Sequence, residues 1–104
     1  MDEAFKIAGY KTKGVHVSYD IDVIDPYTAP GVSIPEYDGI SEEEAMKINE
    51  YLVKHINEIL SFDLVEFNPL RDQDRKTEQI ALCILTQIIN AAEKKKKWEQ
   101  KTYY

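Results

Sequence analysis

Carboxylates stand close together at the end of one apolar segment of this 104-residue sequence. The stretch SYDIDVIDP places Asp20 and Asp22 two residues apart, and on an extended strand such side chains point the same way. Hard cations take oxygen ligands, so the pair could hold one metal ion or bridge two. The spacing leaves a second interpretation open, in which Asp22 and Asp25 cap the following turn while Asp20 is solvated.

A third acid, Glu66, stands at the end of a second apolar segment, FDLVEF. Ligands of open α/β sheets bind beyond the carboxyl ends of the strands. If both segments form parallel strands, a crossover connection brings Glu66 to the same rim as Asp20 and Asp22. The sequence therefore predicts three carboxylates at one edge of a sheet.

The elements that must position these acids follow from the hydrophobic pattern. GVHVSYDI alternates apolar and polar residues, which predicts a strand, and FDLVEF at 62–67 suits a strand buried on both faces. Between them, Ser41 and Glu44 form the sequence of a capping box. The helix that follows is predicted from apolar residues at helical spacing, namely Ala45, Ile48, Leu52, Ile56 and Ile59.

Two more helices and a loop complete the predicted order. DEAFKIA is typical of a helix end, closed by Gly9, which tolerates the left-handed conformation. The prolines and glycines of 25–39 predict a long ordered loop. In the last helix Cys83 is expected as a small core residue beside a wide apolar stripe, formed by Ile80, Ala81, Ile84, Leu85, Ile88 and Ile89.

This order of elements predicts an α/β fold with parallel strands and a right-handed crossover. Two strands and two complete helices leave both edges of the sheet open. We therefore expect the chain to be a piece of a larger α/β domain, or to associate with another copy to cover itself.

Composition excludes several classes of function. The net charge of -6 disfavours a nucleic-acid partner for the body of the chain, and the lysines that begin at Lys94 predict a solvated helix end. Nothing resembles a signal peptide, and no apolar run approaches the roughly 20 residues of a membrane span. The single cysteine is compatible with a reducing compartment. We expect a cytoplasmic protein without membrane contact.

Both acidic segments resemble signatures of the ureohydrolase family, which comprises arginase, agmatinase and formimidoylglutamase. The second motif is DLVEFNP, followed by Asp72 or Asp74 and then Thr77. The first motif combines SYDID with later prolines and glycines, namely Pro26, Pro30, Gly31 and Gly39. The resemblance implies that 1–93 is the C-terminal, β-α-β-α part of a three-layer α/β/α arginase-like fold, and that 94–104 is a lysine-rich C-terminal tail.

What the resemblance implies about activity is hydrolysis of a guanidine or amidine C–N bond at a binuclear manganese site. Asp20 would bridge the two ions and act in catalysis, and Asp22 would bind one of them. Glu66 would hold the cationic group of a small guanidino or formimidoyl substrate by charge-assisted hydrogen bonds. Ser18 and Asp25 would be structural.

The sequence also departs from the family pattern. Where Thr-Gly-Thr-Pro is common, 32–35 reads VSIP, and Glu43-Glu44 replaces an Arg-Glu pair. The upstream histidine motifs of the family do not occur, and His16 and His55 are expected to have structural roles. We therefore expect an incomplete manganese site, inactive in this chain alone and completed by an N-terminal portion or by another copy. The alternative is a non-catalytic α/β module that acts through protein–protein association.

Overall fold

The computed structural model describes the backbone of residues 1–103 and the side chains of residues 1–95. Helix α1 spans Asp2–Ala8, strand β1 Val15–Asp20, helix α2 Glu42–Lys54, strand β2 Ile59–Val65 and helix α3 Lys76–Tyr103. Short 3₁₀ turns follow β1, α2 and β2, at Ile21–Val23, Ile56–Glu58 and Pro69–Arg71.

The two strands pair in parallel, which confirms the predicted α/β fold and the β-α-β order. Val17 lies opposite Phe62, Tyr19 opposite Leu64, and Asp20 opposite Val65. Because the strands run the same way, the loops that follow them lie at the same end of the sheet.

Both long helices cover the same face of the sheet. Residues from α1, both strands, the loop after β1, α2 and α3 form one hydrophobic core, whose fully buried members include Ile21, Ile24, Leu52 and Ile84. The other face of the sheet is uncovered, and Leu60 on β2 is 63% exposed. The prediction that this strand is buried on both faces is therefore wrong for the described residues.

The boundary between α2 and β2 also differs from the prediction. The helix ends at Lys54, and Ile59 is the first residue of β2 rather than a helical residue. Ile59 lies opposite Val15 and is buried in the core, so this apolar residue packs as part of the sheet and not as part of the helix. Ile56 belongs to the 3₁₀ turn between them. Spacing alone does not distinguish a helix that continues from one that ends one turn earlier.

The predicted start of α2 and the predicted end of α1 are both confirmed. Ser41 Oγ accepts from the N–H of Glu44 at 3.1 Å, and Glu44 Oε1 accepts from the N–H of Ser41 at 3.1 Å, which confirms the capping box. Helix α1 ends at Ala8 with Gly9 as its C-cap, as predicted, and Gly9 is right-handed, with φ -84° and ψ -6°. Its N–H donates to the carbonyl of Phe5, so α1 ends without a left-handed residue at this position.

The apolar stripe of α3 is narrower than the sequence predicts. Ile80, Ala81, Ile84 and Ile88 are buried, whereas Ile89 is 55% exposed and Cys83 is exposed. The prediction of Cys83 as a core residue is thus wrong, because α3 packs against α2 and the sheet on one side only. Within the described residues, no helix is both long enough and apolar enough to cross a membrane.

The predicted lysine-rich tail falls largely outside the described side chains. The backbone of α3 continues to Tyr103, but the side chains of 96–104 lie beyond those that the structure describes. The boundary between a domain of 1–93 and a tail of 94–104 stays a prediction.

Candidate functional site

Asp20 and Asp22 come together through a turn rather than along a strand. Strand β1 ends at Asp20, and Asp20 Oδ1 accepts a hydrogen bond from the N–H of Asp22 at 3.1 Å at the start of the 3₁₀ turn. The predicted strand geometry of Asp22 is therefore wrong. The alternative holds in altered form, since Asp20 caps this turn, and Asp25 accepts from the N–H of Tyr27 at 2.8 Å.

The carboxyl groups of Asp20 and Asp22 are in contact. The hydrogen bond between them, followed by partial desolvation and the negative charge of Asp20, raises the pKa of Asp22 to about 6. The charges of Glu66 and Glu36 raise this pKa further. The neighbouring negative charges thus disfavour the ionised form of Asp22.

Glu66 completes this cluster from the second strand. It directly follows Val65, the partner of Asp20 in the parallel ladder, and neighbouring strands lie about 4.8 Å apart. The structure therefore brings together the three acids predicted to share a rim. We call Asp20, Asp22 and Glu66 the acidic rim. Sequence reasoning missed Glu36, which lies in the proline-rich loop without a motif to single it out.

The two sequence motifs meet directly beside the acidic rim. The N–H of Gly31 donates to Thr77 Oγ1 at 2.7 Å, and the N–H of Asn68 donates to the carbonyl of Gly31 at 2.7 Å. A Cβ on Gly31 would lie 3.0 Å from both the Cβ of Asp72 and the Cβ of Thr77. A side chain at this position would force Asp72 or Thr77 to shift by a few tenths of an ångström, so glycine suits this close approach between the loop and the start of α3.

Both ends of the long loop are fixed near the rim. Ile24 and Ile40 form a parallel bridge, in which the N–H of Asp25 donates to the carbonyl of Ile40 at 2.8 Å. A Cβ on Gly39 would lie only 2.5 Å from the carbonyl oxygen of Val23. The second glycine of the motif thus allows the loop to close next to Asp22.

Of the two aspartates that the second motif left open, Asp72 supports α3. It accepts hydrogen bonds at 3.0 Å from the N–H groups of Gln73, Thr77 and Glu78. Partial desolvation raises the pKa of Asp72, but these hydrogen bonds outweigh it and leave the pKa below its usual value. Asp74 lies in a left-handed turn, with φ 51°.

A separate polar group lies on the uncovered face of the sheet. His16 Nδ1 is 2.6 Å from Ser61 Oγ, and His16 Nε2 is 3.3 Å from Asp63 Oδ2. Ser18 Oγ donates to Asp63 Oδ1 at 2.6 Å, which supports a structural role for Ser18. We call His16, Ser18, Ser61 and Asp63 the polar ladder.

The second histidine is also engaged elsewhere. His55 Nδ1 is 2.6 Å from Glu58 Oε2 at the C-terminal end of α2, and its ring stacks on Tyr51 with the centroids 4.1 Å apart. Neither histidine is part of the acidic rim.

The acidic rim has the right chemistry for part of a metal site. Carboxylate oxygens are ligands that suit manganese, and Asp20 and Asp22 present them side by side. Among the residues whose side chains are described, no three histidine, cysteine, aspartate or glutamate side chains lie close enough together to hold an ion. The donors fit a manganese site in type but are too few to complete it.

Comparison with known proteins relates most of the chain to the family whose signatures the two acidic motifs resemble. The model of the Arginase family matches residues 1–90. An arginase from Brevibacillus brevis is 34% identical over 88 residues, which are 85% of this chain and 29% of that protein. A formimidoylglutamase from Vibrio vulnificus is 31% identical over 77 residues, which are 74% of this chain and 23% of that protein.

The fold agrees as well. The crystal structure of the agmatine ureohydrolase of Thermoplasma volcanium superposes with a TM-score of 0.68 at 33% identity, over 92% of this chain and 31% of that one. The chain thus spans less than a third of the length of these relatives. Because the family match covers both acidic motifs and the strands and helices that position them, the chain belongs to the arginase family.

Proposed function

We propose that this chain forms part of the active site of a manganese-dependent ureohydrolase, which hydrolyses a guanidine or amidine C–N bond. The observation that carries the proposal is the acidic rim, where Asp20 and Asp22 are in contact and Glu66 lies beside them. Clustered acids at the carboxyl ends of parallel strands are suited to a cation, because a positive charge removes their mutual repulsion.

In this proposal the two aspartates have different roles as metal ligands. Asp20 would be a ligand of both manganese ions, and Asp22 would be a ligand of one. The remaining ligands would come from an N-terminal portion or from another copy, since the described side chains of the rim offer too few donors for a pair of ions. Bound manganese would lower the pKa of a coordinated water and supply hydroxide near neutral pH.

Glu66 holds the substrate rather than the metal. Its carboxylate accepts charge-assisted hydrogen bonds from the planar cation that arginine, agmatine and formimidoylglutamate have in common. Relatives named for all three activities resemble this chain to similar degrees, so the proposal stops at this shared cationic group. A small guanidino or formimidoyl compound in the cytoplasm is the proposed substrate.

A second candidate function rests on the uncovered sheet. Leu60 is 63% exposed, and β1 and β2 form a sheet of only two strands in the described part of the chain. The alternative is a non-catalytic module that uses this sheet to associate with another protein or with a second copy.

Manganese titration of the 104-residue chain separates the two functions. We expect weak binding, with a Kd of about 0.1 to 1 mM, as few oxygen ligands provide. Asp20→Asn and Asp22→Asn should each weaken it about tenfold, which is the order of effect that loss of a supporting carboxylate has on metal affinity. Asp63→Asn is the matched control, because it removes one aspartate charge from the polar ladder and should leave the affinity unchanged.

Three results would contradict the proposal in different ways. Equal binding by the wild type and both rim variants would exclude Asp20 and Asp22 as ligands. Tight stoichiometric binding, or release of urea or formamide by this chain alone, would contradict the incomplete site. Association of copies without any manganese binding would favour the non-catalytic module.

A further inference from the structure

Glu66 has a backbone conformation that is unfavourable for a glutamate. Its φ is 71°, in the left-handed region, where a residue with a Cβ is disfavoured. Glycine would adopt this conformation freely, yet the position carries a long acidic side chain. Strain of this kind persists only where surrounding contacts hold it, and such contacts lie on both sides of Glu66.

On the N-terminal side, Val65 is fixed in the sheet by its pairing with Asp20. On the C-terminal side, Phe67 forms an isolated antiparallel bridge with Val32 in the long loop. Glu66 is thus the single residue at which the chain leaves the parallel sheet and joins a segment that runs against the loop. The backbone conformation of Glu66 therefore depends on the contacts that hold the following residues against that loop.

Asn68 makes this attachment with all its polar groups. Its N–H donates to the carbonyl of Gly31 at 2.7 Å, and its Nδ2 donates to Ser33 Oγ at 3.1 Å. Its Oδ1 accepts from the N–H of Leu70 at 3.1 Å, and its carbonyl accepts from the N–H of Arg71 at 3.1 Å. One side chain therefore links the loop of the first motif to the turn of the second.

Ser33 gives this link a feature specific to this sequence. Within 32–35 it carries the only hydroxyl, between Val32 and Ile34. Ile34 is 69% exposed, and the Ser33 hydroxyl accepts the hydrogen bond from Asn68 Nδ2. The hydroxyl of this segment is thus used to fix the turn after Glu66.

We propose that Asn68, acting through Ser33, is a positioning residue that holds Glu66 in its left-handed conformation and so directs its carboxylate toward the substrate cation. This inference rests on the proposed function of Glu66. It adds that a contact between the two motifs sets the position of the Glu66 carboxylate. The strand that precedes Glu66 does not set it.

The test uses the 104-residue chain and two readouts. A positive φ brings the amide and α protons of one residue close together, so Glu66 should give a strong intraresidue NOE between them. Affinity for methylguanidinium, the probe for the substrate cation, is followed by the carbon shift of the Glu66 carboxylate. Ser33→Ala should weaken both the NOE and the affinity, the latter about fivefold, as loss of one hydrogen bond implies.

Asn68→Ala should act in the same direction, and Ser33→Thr should restore both readouts because it keeps the hydroxyl. Ser41→Ala is the matched control, since it removes a serine hydroxyl that caps α2 away from the rim. Ser41→Ala should lower stability without a change in the contacts of Glu66. If Ser33→Ala acted only through stability, both variants would therefore lower the NOE and the affinity equally.

An unchanged NOE and unchanged affinity in Ser33→Ala would overturn the positioning role. Equal losses in Ser33→Ala and Ser41→Ala would overturn it as well. If wild type fails to bind methylguanidinium while the NOE still responds to Ser33→Ala, the proposed function of Glu66 is contradicted, whereas the control of its backbone by Asn68 is supported.

Discussion

The acidic rim and the polar ladder both contain acids carried by the same two strands, but the partners of these acids differ. In the ladder, Asp63 Oδ1 accepts from Ser18 Oγ at 2.6 Å, and Asp63 Oδ2 lies 3.3 Å from His16 Nε2. In the rim, Asp20 accepts one backbone N–H, and its carboxyl group contacts that of Asp22.

The difference favours a structural role for Asp63 and agrees with the ligand role proposed for Asp20 and Asp22. A carboxylate with its own donors stabilises the pairing of the strands that carry them. Carboxylates that face one another lower stability until a cation arrives, so their clustering has no structural benefit. Acids at the ends of strands are therefore better judged by the partners they contact than by their number.

Loss of the ladder acid should have the largest effect on stability. Asp63→Ala removes the acceptor for Ser18 and the carboxylate beside His16, and we expect the free energy of unfolding to fall by about 1 kcal/mol, since the Asp63 side chain is 49% exposed. Urea denaturation measures the change. Ser61→Ala, which removes only one contact of His16, should cost less. If the urea midpoint of Asp63→Ala is unchanged, Asp63 does not stabilise the fold, and the contrast between the polar ladder and the acidic rim is wrong.

Replacing the strained rim residue should have the opposite sign. Glu66→Gly relieves the left-handed strain of about 1–2 kcal/mol, against the roughly 0.5–1 kcal/mol by which glycine favours the unfolded chain. We expect the free energy of unfolding to rise by about 0.5 kcal/mol in urea denaturation. Glu66→Ala, which keeps a Cβ, is the matched control and should not gain. A clear loss of stability in Glu66→Gly would show that the side chain stabilises the fold.

The smallest change is expected from Asp22→Asn. It removes a like charge beside Asp20 and provides an amide that can donate to that carboxylate, so stability at low salt should rise by about 0.3 kcal/mol, as for other charge pairs near the surface. The gain should shrink as salt is added. Asp38→Asn removes the same charge from an exposed part of the loop and serves as the control. A gain of equal size in Asp38→Asn would attribute the effect to net charge alone.

Much of the scaffold could be predicted, because it depends on local signals. The capping box at Ser41 and Glu44 and the alternation along β1 depend on neighbouring residues, and both are confirmed. Two of the predictions that failed concern contacts between distant segments. Ile59 continued the helical spacing yet belongs to β2, and Cys83 followed an apolar pattern yet lies on the exposed side of α3.

The sequence by itself determined the family, the parallel β-α-β order and the identity of the three rim acids, because these depend on residue types and their order. Tertiary structure alone decided how the acids meet. A turn, and not a strand, brings Asp22 to Asp20, and the contacts of Asn68 with a loop some 35 residues earlier fix the backbone that follows Glu66. Such contacts depend on the packed position of the loop, which no local pattern encodes.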